Sequence, residues 1–202
     1  MIRLSPLAPA VREQFITALQ AAFRAGAALY EVGDSPAGGP GGAAGEEIIS
    51  RAEVADALDA PGAVAYTVDG GEAEAPAMVG GLVLQIPAAH PDPHSASAAD
   101  GDEPSGDHVG ELVLFFVDVH CHGQGIGRRA WAAVEELHPE ITTWVTHTPT
   151  FEKRNIHFYR DVLGFHITAV TPPLAPGVEA TPEEEQRADM VRFEKHLTHR
   201  AS

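Results

Sequence analysis

The residues best suited to chemistry crowd into one stretch, His120-Cys-His-Gly-Gln-Gly-Ile-Gly-Arg-Arg-Ala-Trp131. Gly123, Gly125 and Gly127 alternate with other residues, so the backbone can approach a ligand with no Cβ in the way. An apolar run precedes the turn and a helical period follows it. The free N–H groups and positive dipole end of that helix would hold an anion. Arg128 and Arg129 place charge where a helix dipole disfavours it, and a bound phosphate accounts for them. Two other phosphate motifs are excluded. The chain has no Gly-x-x-x-x-Gly-Lys-Ser/Thr, and Gly123-x-Gly125-x-Gly127 is not the Gly-x-Gly-x-x-Gly of dinucleotide folds.

Metal chemistry is a weaker reading. His90, Asp92, His94, Asp107 and His108 carry ligand atoms, but His-x-Asp-x-His fits no tight zinc pattern. In His120-Cys121-His122 neighbouring side chains of an extended segment point to opposite sides, so at most the two histidines converge. No metal site is expected.

The elements that must position these residues follow from periodicity. Glu111-Leu-Val-Leu-Phe-Phe-Val117 reads as a buried strand, and Ile126, Ala130, Val134 and Leu137 mark a helix over 126–138. Upstream, Ile2–Leu7 reads as a short strand, and Val11, Phe15, Leu19 and Phe23 mark a helix from Ala10 to about Leu29. Ser50-Arg-Ala-Glu53 is a capping box for a helix running to Asp59. Strands are expected at Ala63–Val68 and Ala77–Ile86, where Gly80-Gly81 suggests a bulge or a close backbone approach. Downstream the spacing predicts a strand at Ile141–His147. A helix over Pro149–Val162 buries Phe151, Ile156, Phe158, Tyr159 and Leu163 and is capped by Gly164. Strands at Phe165–Val170 and Asp189–Lys195 close the chain. Loops are expected near 33–46, 87–108 and 171–188 within a single domain, 1–202.

Composition narrows the function classes. The 202 residues are 44% hydrophobic, enough for a core, and no run approaches the roughly 18 apolar residues of a membrane span. The opening Met-Ile-Arg-Leu-Ser lacks the apolar segment of a signal peptide, and the one cysteine fits a reducing cytoplasm. Lys+Arg 13 against Asp+Glu 29 gives a formal charge of −16, which argues against a nucleic-acid partner and favours approach of a cation.

His122-Gly-Gln-Gly125-Ile-Gly127 resembles motif A of the GCN5-related N-acetyltransferases (GNAT), Gln/Arg-x-x-Gly-x-Gly/Ala, with His122 in the Gln/Arg slot. Asn155-Ile-His-Phe-Tyr159-Arg-Asp-Val-Leu-Gly164-Phe165 is similar to that family's second signature. The two occur in the family's order with one strand between them. The resemblance implies an α/β (α+β) fold: a central mixed, mostly antiparallel twisted sheet of about seven strands, flanked by about four helices. It implies acetyl-CoA as co-substrate, no metal, and direct acetyl transfer to a primary amine of a small molecule or peptide. That amine may carry positive charge, and a homodimer is open.

The same resemblance assigns residues. Coenzyme A would be held through His122, Gly123, Gln124, Gly125, Ile126, Gly127 and Arg128, with the pantetheine beside Phe115, Phe116 and Val117. Tyr159 matches the family's general acid. Glu111 stands at the interval before motif A where the histone-acetylating branch carries a catalytic glutamate, and His147 is the rival base because imidazole titrates near neutrality. The asparagine that contacts coenzyme A in many relatives is replaced by Glu152, with Asn155 as a substitute. The alternative function is a catalytically silent acyl-CoA binder acting as a sensor or interaction module.

Overall fold

The computed structural model describes residues 2–31, 49–71, 77–86, 108–172, 181 and 189–197, without the side chains of 27–31. The expected loops near 33–46 and 87–107, and most of 171–188, lie outside the described residues, as do His90, Asp92, His94 and Asp107. Seven strands hydrogen-bond in the order β1-β2-β3-β4-β5-β7-β6. They are β1 (Arg3–Pro6), β2 (Ala63–Gly70), β3 (Ala77–Gln85), β4 (Val109–Val117), β5 (Thr143–Pro149), β6 (His166–Thr171) and β7 (Met190–His196). The helices are α1 (Arg12–Glu31), α2 (Arg51–Asp59), α3 (Ile126–Leu137) and α4 (Lys153–His157). The sheet is mostly antiparallel, with β4 and β5 parallel, and this is the expected mixed architecture.

The chain condenses into two compact units, Met1–Leu84 with Val113–Leu137 and Gln85–Leu112 with His138–Ser202. In the first, the four-residue spacing of α1 buries Phe15, Ile16 and Leu19 with Val54 of α2, Val83 of β3 and Phe116 of β4. Phe15 and Phe116 meet edge-on at 5.3 Å. The Gly80-Gly81 pair answers two approaches. A Cβ on Gly80 would lie 2.5 Å from the Phe116 carbonyl oxygen, and one on Gly81 would lie 2.2 Å from the Phe15 ring. Ser50 caps α2 as its sequence predicts: the Glu53 N–H donates to Ser50 Oγ at 3.1 Å, and the Ser50 N–H donates to Glu53 Oε2 at 2.7 Å.

In the second unit β5 pairs with β7 from Thr143↔His196 to Pro149↔Met190. Here one expectation fails. Pro149 ends β5 instead of starting a helix, because a residue without an N–H is tolerated at a strand end. The helical part is only Lys153–His157, followed by a π turn over Phe158–Val162 in which the Leu163 N–H donates to the Phe158 carbonyl at 3.0 Å. Phe151 therefore lies ahead of the helix and is 56% exposed, whereas Tyr159 and Leu163 are buried. Gly164 follows at φ +78°, the left-handed geometry that stops the helix.

Candidate active site

The first unit carries the glycine turn. After Val117, Asp118 Oδ1 accepts from the His120 N–H at 2.9 Å and folds Val119–Cys121 into a single 3-10 turn. Gly123 and Gly125 then take φ +75° and +68°, a region other L-residues enter only under strain. A Cβ on Gly123 would meet nothing within 4 Å, and one on Gly125 only Arg129 at 3.7 Å, so both look onto open space. The Arg129 N–H bonds the Gly125 carbonyl at 3.1 Å. The N–H groups of Ile126, Gly127 and Arg128 precede that bond in the first turn of α3, where α-helices have open donors. The turn borders a cavity of about 800 Å³ lined by Val79, Cys121, Gln124, Ile126 and Arg129 among others.

Two side chains around this turn are engaged by the protein itself. His122 Nε2 lies 2.9 Å from the Val117 carbonyl oxygen, which folds the ring back on the strand end and engages that carbonyl. Phe116 is 5% exposed and belongs to the core; Phe115 is half-buried.

The second unit brings the two rival bases together. Parallel pairing sets Glu111 beside Val145, and His147 lies two residues on, on the same face. Glu111 Oε1 is 3.2 Å from His147 Nδ1, with the side chains 43% and 37% exposed. If Nδ1 donates to the carboxylate, Nε2 carries the free lone pair.

Tyr159 is 8% exposed, packed against Phe193 at 5.6 Å and Phe165 at 6.1 Å. Burial pushes its phenol up to about 12; the hydrogen bond with Thr146 opposes the rise and the charge of Glu152 adds to it. Thr146 Oγ1 donates to the Leu112 carbonyl at 2.9 Å. Asn155 Nδ2 donates to Thr148 Oγ1 at 3.2 Å. Thr146 and Thr148, buried two residues apart on β5, are polar groups beside Tyr159 and Asn155 that the sequence reading did not single out. Their signal was present, since a hydroxyl at a buried strand position calls for a polar partner. Glu152 is half-buried, and burial raises its carboxyl above the ordinary range while Arg154 opposes. Among the described residues no group of three His, Cys, Asp or Glu is placed to hold a metal. No described helix is long and apolar enough to cross a membrane.

Residues 54–165, more than half of the chain, match the family model described as Acetyltransferase (GNAT) family. An uncharacterized protein of Bacillus subtilis (strain 168), YrkN, is 38% identical over 122 residues, covering 59% of this chain and 54% of that protein. The match thus spans about half the length of this curated relative. A Bacillus subtilis acetyltransferase solved in complex with CoA superposes with a TM-score of 0.56 at 16% identity, over 98% of this chain and 100% of that one. A GNAT family acetyltransferase from Elizabethkingia anophelis with acetyl-CoA bound gives 0.55 at 12% identity, over 97% and 98%. At such identities the likeness is one of fold.

Proposed function

The chain belongs to the GNAT acetyltransferase family, and from that membership we propose that it moves acetyl from acetyl-CoA to a primary amine of a small molecule or peptide. Transfer is direct, in a ternary complex, with residues 1–202 acting as one acetyltransferase domain. The observation that carries the reading is the glycine turn, with left-handed Gly123 and Gly125 leading into the N-terminus of α3. Its open donors and Arg128 suit the pyrophosphate of the coenzyme. The two solved relatives that hold CoA or acetyl-CoA support the same co-substrate.

The chemistry needs a neutral amine. Its nitrogen attacks the thioester carbon, the C–N bond forms, the C–S bond breaks, and the nitrogen gives up a proton. We assign that proton to His147 Nε2, with Glu111 fixing the ring through Nδ1. The leaving thiolate must be stabilised. Burial raises the Tyr159 phenol and so keeps it protonated, able to offer its proton to the sulfur as charge develops there.

The same phenol, buried and bonded to Thr146, favours the second reading of a silent acyl-CoA binder. Thiol release from acetyl-CoA across an amine panel, beside calorimetric CoA binding, separates the two. Amine-dependent release supports the enzyme. Binding with no release on any amine supports the silent binder, and no binding overturns both.

A further inference from the structure

Three strands build the floor beneath Tyr159. Parallel pairing of β4 with β5 sets Leu112 beside Thr146, and antiparallel pairing of β5 with β7 sets Phe193 on its other side. All three side chains are buried, and the Tyr159 ring packs on Phe193 at 5.6 Å. The phenol therefore lies over this row, where its hydroxyl is hydrogen-bonded with Thr146. Its backbone sits in the π turn, a geometry that recurs at functional sites, and the Tyr159 carbonyl accepts from the Phe165 N–H at 2.9 Å. Four residues earlier, Asn155 donates to Thr148, the next buried hydroxyl of β5. Two hydroxyls spaced by two on a strand thus meet two side chains spaced by four on the segment above, and these two rungs fix where the phenolic oxygen stands.

Thr146 is 1% exposed, so its hydroxyl needs a partner inside the protein, and the Leu112 carbonyl at 2.9 Å already provides one. The phenol is a second. One hydroxyl proton therefore has two oxygens in reach, and a hydroxyl rotates to suit either. Turned to Leu112, it leaves the Thr146 oxygen as a fixed neighbour of the phenol. Turned to Tyr159, it donates to the phenolic oxygen, leaves the phenol's own proton free and favours the charged form. That is the direction in which this bond acts, against the rise caused by burial.

We propose that Thr146 is a positioning residue for Tyr159: anchored on the Leu112 carbonyl, its hydroxyl holds the phenolic oxygen in place and turns its proton onto that oxygen as the Tyr159 proton moves to the leaving sulfur. This rests on the acetyl-transfer reading and adds a residue to its leaving-group step. The C–S electron pair stays on sulfur, which takes the phenolic proton. Solvent returns a proton to the phenol once the thiol departs, and the proton lost by the amine balances it. Acetyl-CoA and amine give amide and thiol, with Thr146 and Tyr159 restored. Without the hydroxyl, negative charge on the phenol would develop against the apolar walls of Phe165 and Phe193.

The test measures thiol release from acetyl-CoA with the fastest amine of a panel, beside calorimetric CoA binding. The proteins are wild type, Thr146→Val, Thr146→Ser, which keeps the hydroxyl, Tyr159→Phe, and the double variant Tyr159→Phe with Thr146→Val. In Thr146→Val kcat should fall roughly tenfold to 100-fold, the usual worth of a hydrogen bond to a charged group. The amine KM and CoA affinity should hardly change, and Thr146→Ser should retain most of the rate. In the Tyr159→Phe background Thr146→Val should cost nothing further, because the partner it serves is gone. Should Thr146→Val fail to fold, Thr146→Ala removes the same hydroxyl and is read in the same two backgrounds. A wild-type kcat without the hydroxyl overturns the inference and leaves acetyl transfer standing. So does an equal loss in both backgrounds, a loss confined to KM or CoA affinity, or a Thr146→Ser variant as slow as Thr146→Val. A wild type that releases no thiol with any amine removes the acetyl-transfer reading and this inference together.

Discussion

At the scale of single residues, Tyr159 and Gly125 carry the sharpest tests. Tyr159→Phe removes one hydroxyl and keeps the ring that packs on Phe165 and Phe193. If the hydroxyl stabilises the leaving sulfur, kcat should fall by ~10²–10⁴ with the amine KM little changed, because the lost interaction belongs to the transition state. Steady-state kinetics on a true acceptor decides it; a wild-type rate would reduce Tyr159 to packing. Gly125→Val forces a β-branched residue to φ +68° and fills the open space in front of the turn. Calorimetry should find CoA binding lost from a folded variant, and undiminished affinity would remove the cradle assignment.

At the scale of elements, the α2 capping box links sequence, hydrogen bonding and pH. Ser50→Ala deletes the acceptor for the Glu53 N–H and should lower stability by about 1 kcal/mol in denaturant unfolding. The Glu53 carboxyl is held below its usual 4.5 chiefly by the Ser50 hydrogen bonds. A depressed carboxyl contributes stability above its unfolded value and loses it as pH falls through the folded one. The gap between wild type and Ser50→Ala should therefore be full at neutral pH and shrink as pH drops below 4.5. A gap independent of pH would mean that the Ser50 hydroxyl does not hold the Glu53 carboxyl down. This element was legible because all its partners lie within four residues. The 149–162 segment was not: Met190 of β7, distant along the chain, pairs with Pro149 and draws it into the sheet.

At the scale of the whole molecule, charge is the controlling quantity. With a formal charge of −16, association of a cationic acceptor should weaken as salt screens the field over roughly 10 Å at 0.1 M. The KM for a diamine should rise several-fold between low and moderate ionic strength, with a smaller rise for a monoamine. Equal salt responses for the two would show that the field does not act on the acceptor.

The sequence alone determined the order of strands and helices, the glycine turn, and the family resemblance. Each depends on neighbours close along the chain: a period of two or 3.6, a cap three residues away, glycines where a Cβ would strain the backbone. Tertiary structure decided the state of the functional groups. Glu111 and His147 were rivals in the sequence and are one hydrogen-bonded pair in the fold, because parallel pairing of β4 and β5 sets them side by side. Tyr159 was a family match in the sequence; in the fold, burial against Phe165 and Phe193 pushes its phenol up to about 12. Glu152 was only a departure from a pattern in the sequence; the fold half-buries it, and burial raises its carboxyl. Charge states depend on desolvation and on partners many residues distant, and neither is written in local spacing.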